Sequence, residues 1–175
     1  GCRRVRTDCE NMGKKKKERS SAPKLGATYQ AAKFGVQLGS APAWAYYHGK
    51  EAGLLSRLKS SNFQKGTAVA FAEAYAGKKI GLAGAISRKS VTAIAPEILA
   101  GLEGSRVANL DPVNSLAETD VNMRGYDFRT DGFDVNRTKG YLIQHGVGYA
   151  IRKVGTNTGI LDPAKRFLSM LGVSL

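Results

Sequence analysis

From Leu25 onward, apolar or small side chains return every three or four positions. Leu25, Tyr29, Ala32, Val36 and Gly39 make the first such run, and that spacing places them on one stripe of an α-helix. The pattern recurs in Leu54, Leu55 and Leu58, and again in Val69, Phe71, Ala72 and Tyr75. It continues in Val91, Ile94, Ile98 and Leu102, in Leu142, Ile143, Gly146, Tyr149 and Ala150, and in Ala164, Phe167, Leu168 and Leu171. Many stripe residues are Ala or Gly, which let helices approach closely. The expected fold is mostly α: a small helical domain of five to seven helices, few strands and no repeat of fixed length.

Start and stop signals divide the pattern. Ser40 with Pro42 reads as the opening of a second helix after Gly39. Ser60-Ser61-Asn62 reads as a break, a helix is expected over 67–76, and Gly77-Lys78-Lys79 reads as its end. Pro96 predicts a kink. Asp111-Pro112 pairs an N-cap with a first-turn proline, and a short helix to about Glu118 should follow. Gly125-Tyr126-Asp127-Phe128 and Asp131-Gly132-Phe133 predict one short hairpin-like turn. Asp134 should cap a helix reaching about Val154, with Arg152 and Lys153 in its last turn and Gly155 as its stop. Asp162-Pro163 repeats the cap-plus-proline pattern, and Gly172 ends the last helix.

The chain has 175 residues, 42% hydrophobic and only 8% aromatic, enough for one modest domain with a light core. These counts exclude a collagen-like repeat, a disulfide scaffold and a multidomain enzyme. Residues 1–24 read as a basic flexible tail and 25–175 as the helical domain. Residues 1–11 read as upstream sequence or a processed remnant, because Met12-Gly13 makes a natural beginning. No apolar stretch follows the early positive charges, so a secretory signal is not expected. Cys2 and Cys9 make no disulfide framework, and no four-ligand zinc spacing is present.

Charge carries most of the functional information. The formal net charge is +13, yet residues 103–134 hold seven acidic and three basic side chains, an acidic interruption in a basic chain. Lys14, Lys15, Lys16, Lys17 and Arg19 repel one another and bring no apolar surface, so they should order only against an anionic partner. Lys78, Lys79, Arg88, Lys89, Arg152 and Lys153 sit at expected helix ends and join them as candidate anion-binding residues. Lys33, Lys50, Arg57, Lys59 and Lys65 extend that set. Phosphate contacts come from such positions without a base-reading motif. No zinc finger, RNA-recognition motif or helix-turn-helix is present, so binding should be independent of sequence.

Trp44, Tyr46 and Tyr47 cluster in the longest uncharged stretch, residues 34–49. Core packing is the simplest use of the three; an interface or a lipid-headgroup anchor is the functional one. The stretch is too short to span a bilayer, which takes roughly 20 apolar residues.

Catalytic signals are weak. Gly146-Val147-Gly148-Tyr149-Ala150-Ile151 begins like a dinucleotide loop but falls inside a helical pattern and lacks the third glycine. His48 and His145 have no neighbouring nucleophile at a recognisable spacing, so polar or core roles are expected. Asp127, Asp131 and Asp134 lack the closing glutamate of a calcium loop; turn capping and pairing with Arg129 or Arg137 suit them better. No catalytic residue, cofactor or metal is expected.

Gly125-Tyr126-Asp127, the helix over 139–154 and the apolar end Leu171-Gly172-Val173-Ser174-Leu175 together resemble a pattern in small uncharacterised basic proteins of virus-like genomes. Those chains share the Lys/Arg-rich start and the Ala/Gly-rich middle. The resemblance covers the final third, and the middle segment here is less apolar than a membrane segment. It implies a virion or virus-associated role, inside the virion or the host cell, and carries over no functional residue. The expectation is a non-enzymatic structural protein, a minor or internal virion component. Its expected partners are copies of itself or other structural proteins, nucleic acid, and a membrane surface. A ribonucleoprotein-associated protein and a peripheral membrane protein are the alternatives.

Overall fold

A computed structural model describes residues 25–49 and 53–175. The basic segment 1–24, with Lys14–Lys17 and Arg19, lies outside the described residues, as does Lys50. The described chain runs α1 (Leu25–Tyr47), α2 (Gly53–Lys59), α3 (Ser61–Lys79), α4 (Leu82–Ser87), α5 (Val91–Val107), α6 (Pro112–Arg124), β1 (Tyr126–Asp127), β2 (Gly132–Phe133), α7 (Val135–Thr158) and α8 (Asp162–Met170). The mostly helical expectation holds, with eight helices among the described residues against an expected five to seven.

Local capping accounts for most boundaries. Asp111 accepts a hydrogen bond from the Asn114 backbone N–H at 2.7 Å, with Pro112 in the first turn of α6. Asp134 accepts from the Asn136 N–H at 2.9 Å and opens α7. The hairpin pairs Tyr126 with Phe133 and Asp127 with Gly132, antiparallel.

Four boundaries differ from expectation. Pro42 lies inside α1 and opens no new helix. Ala41, Pro42 and Ala45 are buried there, and their packing holds the helix through the lost backbone donor. Ser60 caps α3 at once by accepting from the Phe63 N–H, so α3 spans Ser61–Lys79 rather than 67–76 alone. The Asp111 helix continues past Glu118 to Arg124, where Gly125 stops it at φ +75°. α7 runs through Gly155 and stops at Gly159, whose φ of +66° is the left-handed conformation that ends helices. Gly155 serves packing instead: a Cβ there would lie 2.5 Å from Leu161 Cδ1.

α1 packs across α2, α3 and α4, while α5, α6 and α7 pack on one another. One apolar cluster joins Ala41, Phe63, Ala117, Tyr126 and Phe128 beneath the hairpin. A second joins Leu82, Ala85, Ile86 and Ala93. The third, Ala100, Met123 and Tyr141, lies between α5, α6 and α7. No described helix is long and apolar enough to cross a membrane.

Beside the third cluster lies a buried ion pair. Arg124, fully buried, donates to Asp120 Oδ2 at 2.6 Å one turn earlier. Burial pushes the Asp120 carboxyl up to about 7 from 3.8, against the pull of Arg124, and Asp127 and Glu73 add to the rise. The folded chain therefore holds this proton more tightly than the unfolded chain. Stability from this group is complete below the unfolded value and is lost as pH rises through about 7. Thermal denaturation should show a loss on the order of 2 kcal/mol between about pH 5 and about pH 8, and D120N should flatten that slope. A wild-type profile that stays level across this window contradicts the assignment.

Candidate anion-binding groove

Tyr149, Arg152, Lys153 and Thr156 follow one another at spacings of three, one and three along α7, which places them on one stripe. That stripe faces the turn between α4 and α5 on one side and α8 on the other. Between them lies an open groove of about 750 Å³, walled by Ile80, Gly81, Ala85 and Arg88, by the α7 stripe with Asn157, and by Lys165, Ser169 and residues 173–175.

Backbone pairing holds the end segment in place. Val91 N–H donates to the Ser174 carbonyl at 2.6 Å, and Ser174 N–H donates to the Lys89 carbonyl at 3.1 Å. Ser90 Oγ donates to the Leu175 carbonyl at 2.7 Å, and Ser174 Oγ donates to the Arg88 carbonyl at 3.0 Å. These bonds pin residues 174 and 175 against the turn that presents Arg88.

The charged side chains of the groove are of one sign. Among the described residues its lining holds Arg88, Arg152, Lys153 and Lys165 and no acidic side chain. Among the described residues Arg88, Arg152 and Lys153 form no ion pair, whereas Lys165 pairs with Asp162 at 3.2 Å and also donates to the Gly155 carbonyl. Arg152 Nη1 is buried and has no hydrogen-bond partner among the described residues. Burial and the neighbouring Arg88 charge both pull the Arg152 guanidinium below its ordinary range. A guanidinium desolvated, left one donor short and set beside a like charge is a site that an arriving anion stabilises. Lys153 lies 6.0 Å from the centre of the Tyr149 ring.

No protein-family model matches this chain, no curated protein matches its sequence, and no solved structure matches its fold.

The fold thus sorts the candidate cations. Arg88, Arg152 and Lys153 come together from 64 residues apart in sequence. Lys78 and Lys79 end α3 just before Ile80 and Gly81 of the groove wall, and do not themselves line it. Lys79 lies 5.4 Å from the Tyr75 ring. Lys89, at φ +55°, turns to a different, apolar depression with Leu25, Tyr29 and Ile98. Lys59 and Lys65 are exposed elsewhere.

Lys33 and Arg57 do not belong to the phosphate-facing set. Lys33 is buried against Glu73 and Glu97, and Arg57 pairs with Asp131 at 3.4 Å. Both are spent inside the fold. Asp127 pairs with Arg129 at 2.9 Å as expected, whereas Asp131, which also accepts from Ser60 and Tyr126, has Arg57 as its partner instead of Arg129 or Arg137. Those two meet at Glu118, which accepts from Arg129 at 2.5 Å and from Arg137 at 2.9 Å.

Lys165 is the groove residue that pattern reading passed over; its place after Asp162-Pro163 gives no sign that α8 folds back on α7. The aromatic cluster divides. Trp44 is half-buried, 5.7 Å from Phe128 and 3.8 Å from His48, centre to centre. Tyr46 and Tyr47 stand out at 75% and 85% exposure. Gly146 and Gly148 lie within α7, away from any strand.

Proposed function

We propose that this chain is a non-enzymatic assembly protein that holds a polyanion, nucleic acid foremost, without reading its sequence. The observation that carries this reading is the groove in which Arg88, Arg152 and Lys153 form no ion pair among the described residues, where Arg152 Nη1 is buried and has no partner. Among the described residues, its hydroxyls on Thr156, Ser169 and Ser174 have no histidine, cysteine or acidic side chain beside them in the lining to act as a base. Phosphate oxygens fit such a donor set: guanidinium forks, an ammonium and short hydroxyls.

An assembly role draws on α7 as well. Ile143, Val147, Ile151 and Val154 repeat on one helical stripe, each between 39% and 64% exposed, a surface suited to other protein chains. Placement as a minor or internal virion component draws on the resemblance of the final third to small basic proteins of virus-like genomes, with a packaged genome as the polyanion.

Fluorescence anisotropy of the full chain with labelled single- and double-stranded oligonucleotides tests the reading. Affinity should fall steeply with salt and vary little with base sequence. The three groove cations alone predict a log–log slope of about −2 to −3, and any further phosphate contacts steepen it. Absence of binding at low salt, or binding indifferent to salt, removes the proposal.

A further inference from the structure

A second cluster, remote in character from the groove, lies where α1, α3, α5 and α7 meet. Glu73 comes from α3, Glu97 from α5, and Tyr141 with His145 from successive turns of α7. Lys33 reaches in from α1, bonded to Glu73, 3.2 Å from Glu97 Oε1 and 2.8 Å from the Tyr141 hydroxyl. The Tyr29 hydroxyl donates to Glu97 Oε2 at 3.0 Å. Two carboxylates thus share one ammonium.

The cluster retains unused ligand atoms. His145 is 7% exposed, and among the described residues its Nε2 has no hydrogen-bond partner although it lies 3.4 Å from Glu97 Oε1. Glu73 Oε2 is also buried and partnerless. One ligand atom each from Glu73, Glu97 and His145 falls within 4.8 Å of the others. One imidazole and two carboxylates, held on three packed helices, match a three-ligand site for a borderline divalent metal with positions left open. Buried polar atoms without partners are uncommon and ask for a physical cause.

We propose that Glu73, Glu97 and His145 bind a divalent first-row transition cation in exchange for the Lys33 ammonium. Lys33 has somewhere to go. Its side chain also lines a groove of about 280 Å³ between α1 and α6, together with Gln37 and Asp120, and Asp120 Oδ1 is buried there without a partner. Lysine and metal then compete for one pair of carboxylates, and either cation compensates their charge.

The competition makes an unusual demand: removing Lys33 strengthens metal binding. The probe is Co²⁺ added to the full chain in a C2S/C9S background, which removes both thiols, followed by visible absorption and calorimetry. Wild-type sequence at all other positions should bind one Co²⁺ per chain with the ligand-field bands of a low-symmetry site. E73Q and H145L should each weaken binding at least about tenfold, and K33M should tighten it by a similar factor. A K33M chain that unfolds in chelator and refolds with Zn²⁺ gives the same answer in a stronger form. The proposal is overturned if the Lys33-containing chain takes up no Co²⁺, a result that does not depend on any variant folding. It is equally overturned if E73Q and H145L bind undiminished, or if a folded K33M binds no more tightly.

Discussion

On the proposed function, the double substitution R88E/R152E is expected to abolish most affinity for nucleic acid. Each guanidinium is positioned to make charge-assisted hydrogen bonds to phosphate, contributing about 1.5–3 kcal/mol apiece. Losing both therefore weakens binding by roughly 10²–10⁴-fold at low salt, and the introduced carboxylates add repulsion. The deficit should shrink as salt rises, because screening removes the term that distinguishes the two proteins. R106E is the control. Arg106 lies on the exposed face of α5, already paired with Glu103 at 2.7 Å, and its loss should leave affinity nearly unchanged. Stability separates a binding role from a structural one. Burial and Arg88 both act against the Arg152 charge, so R152Q should leave the melting temperature unchanged or higher while affinity falls. An R152Q chain that unfolds, or R88E/R152E that binds like the parent, refutes the assignment of this groove.

The second large effect concerns two glycines one residue apart from a shared neighbour on α7. A Cβ on Gly148 would collide with the Thr92 carbonyl oxygen at the start of α5. That atom belongs to helix backbone and cannot turn aside. G148V must push α5 and α7 apart, opening the packing around Tyr141 and His145, and should cost roughly 3 kcal/mol or more. For a chain of this size the melting temperature then falls by about 10 °C. Gly146, two positions earlier, has nothing within 4 Å of its Cβ position. G146A should stabilise the helix by about 0.5–1 kcal/mol, because alanine loses less backbone freedom on folding. Calorimetry of the two variants should therefore give opposite signs. Equal destabilisation by both would show that α5 and α7 do not approach at Gly148.

What could be read from sequence was whatever depends on near neighbours. The three-to-four spacing of apolar residues specifies helices because one turn brings such positions together. Asp111 and Asp134 specify helix starts because a cap bonds two or three residues ahead. The Tyr126–Phe133 hairpin closes within eight residues. Each is settled over a few ångströms of chain, and each holds in the structure.

Only the tertiary structure decided what became of the charges. Lys33 and Arg88 look alike in sequence, single cations in helical surroundings. Yet Lys33 lies among carboxylates 40 and 64 residues away, while Arg88 opens onto a groove with no acidic side chain among the described residues. Pro42 within α1 overrode local preference because its burial in the fold outweighed the local penalty. Charge pairing and packing are properties of distance in space. A helical pattern states which side chains share a stripe and leaves open which stripe will face it.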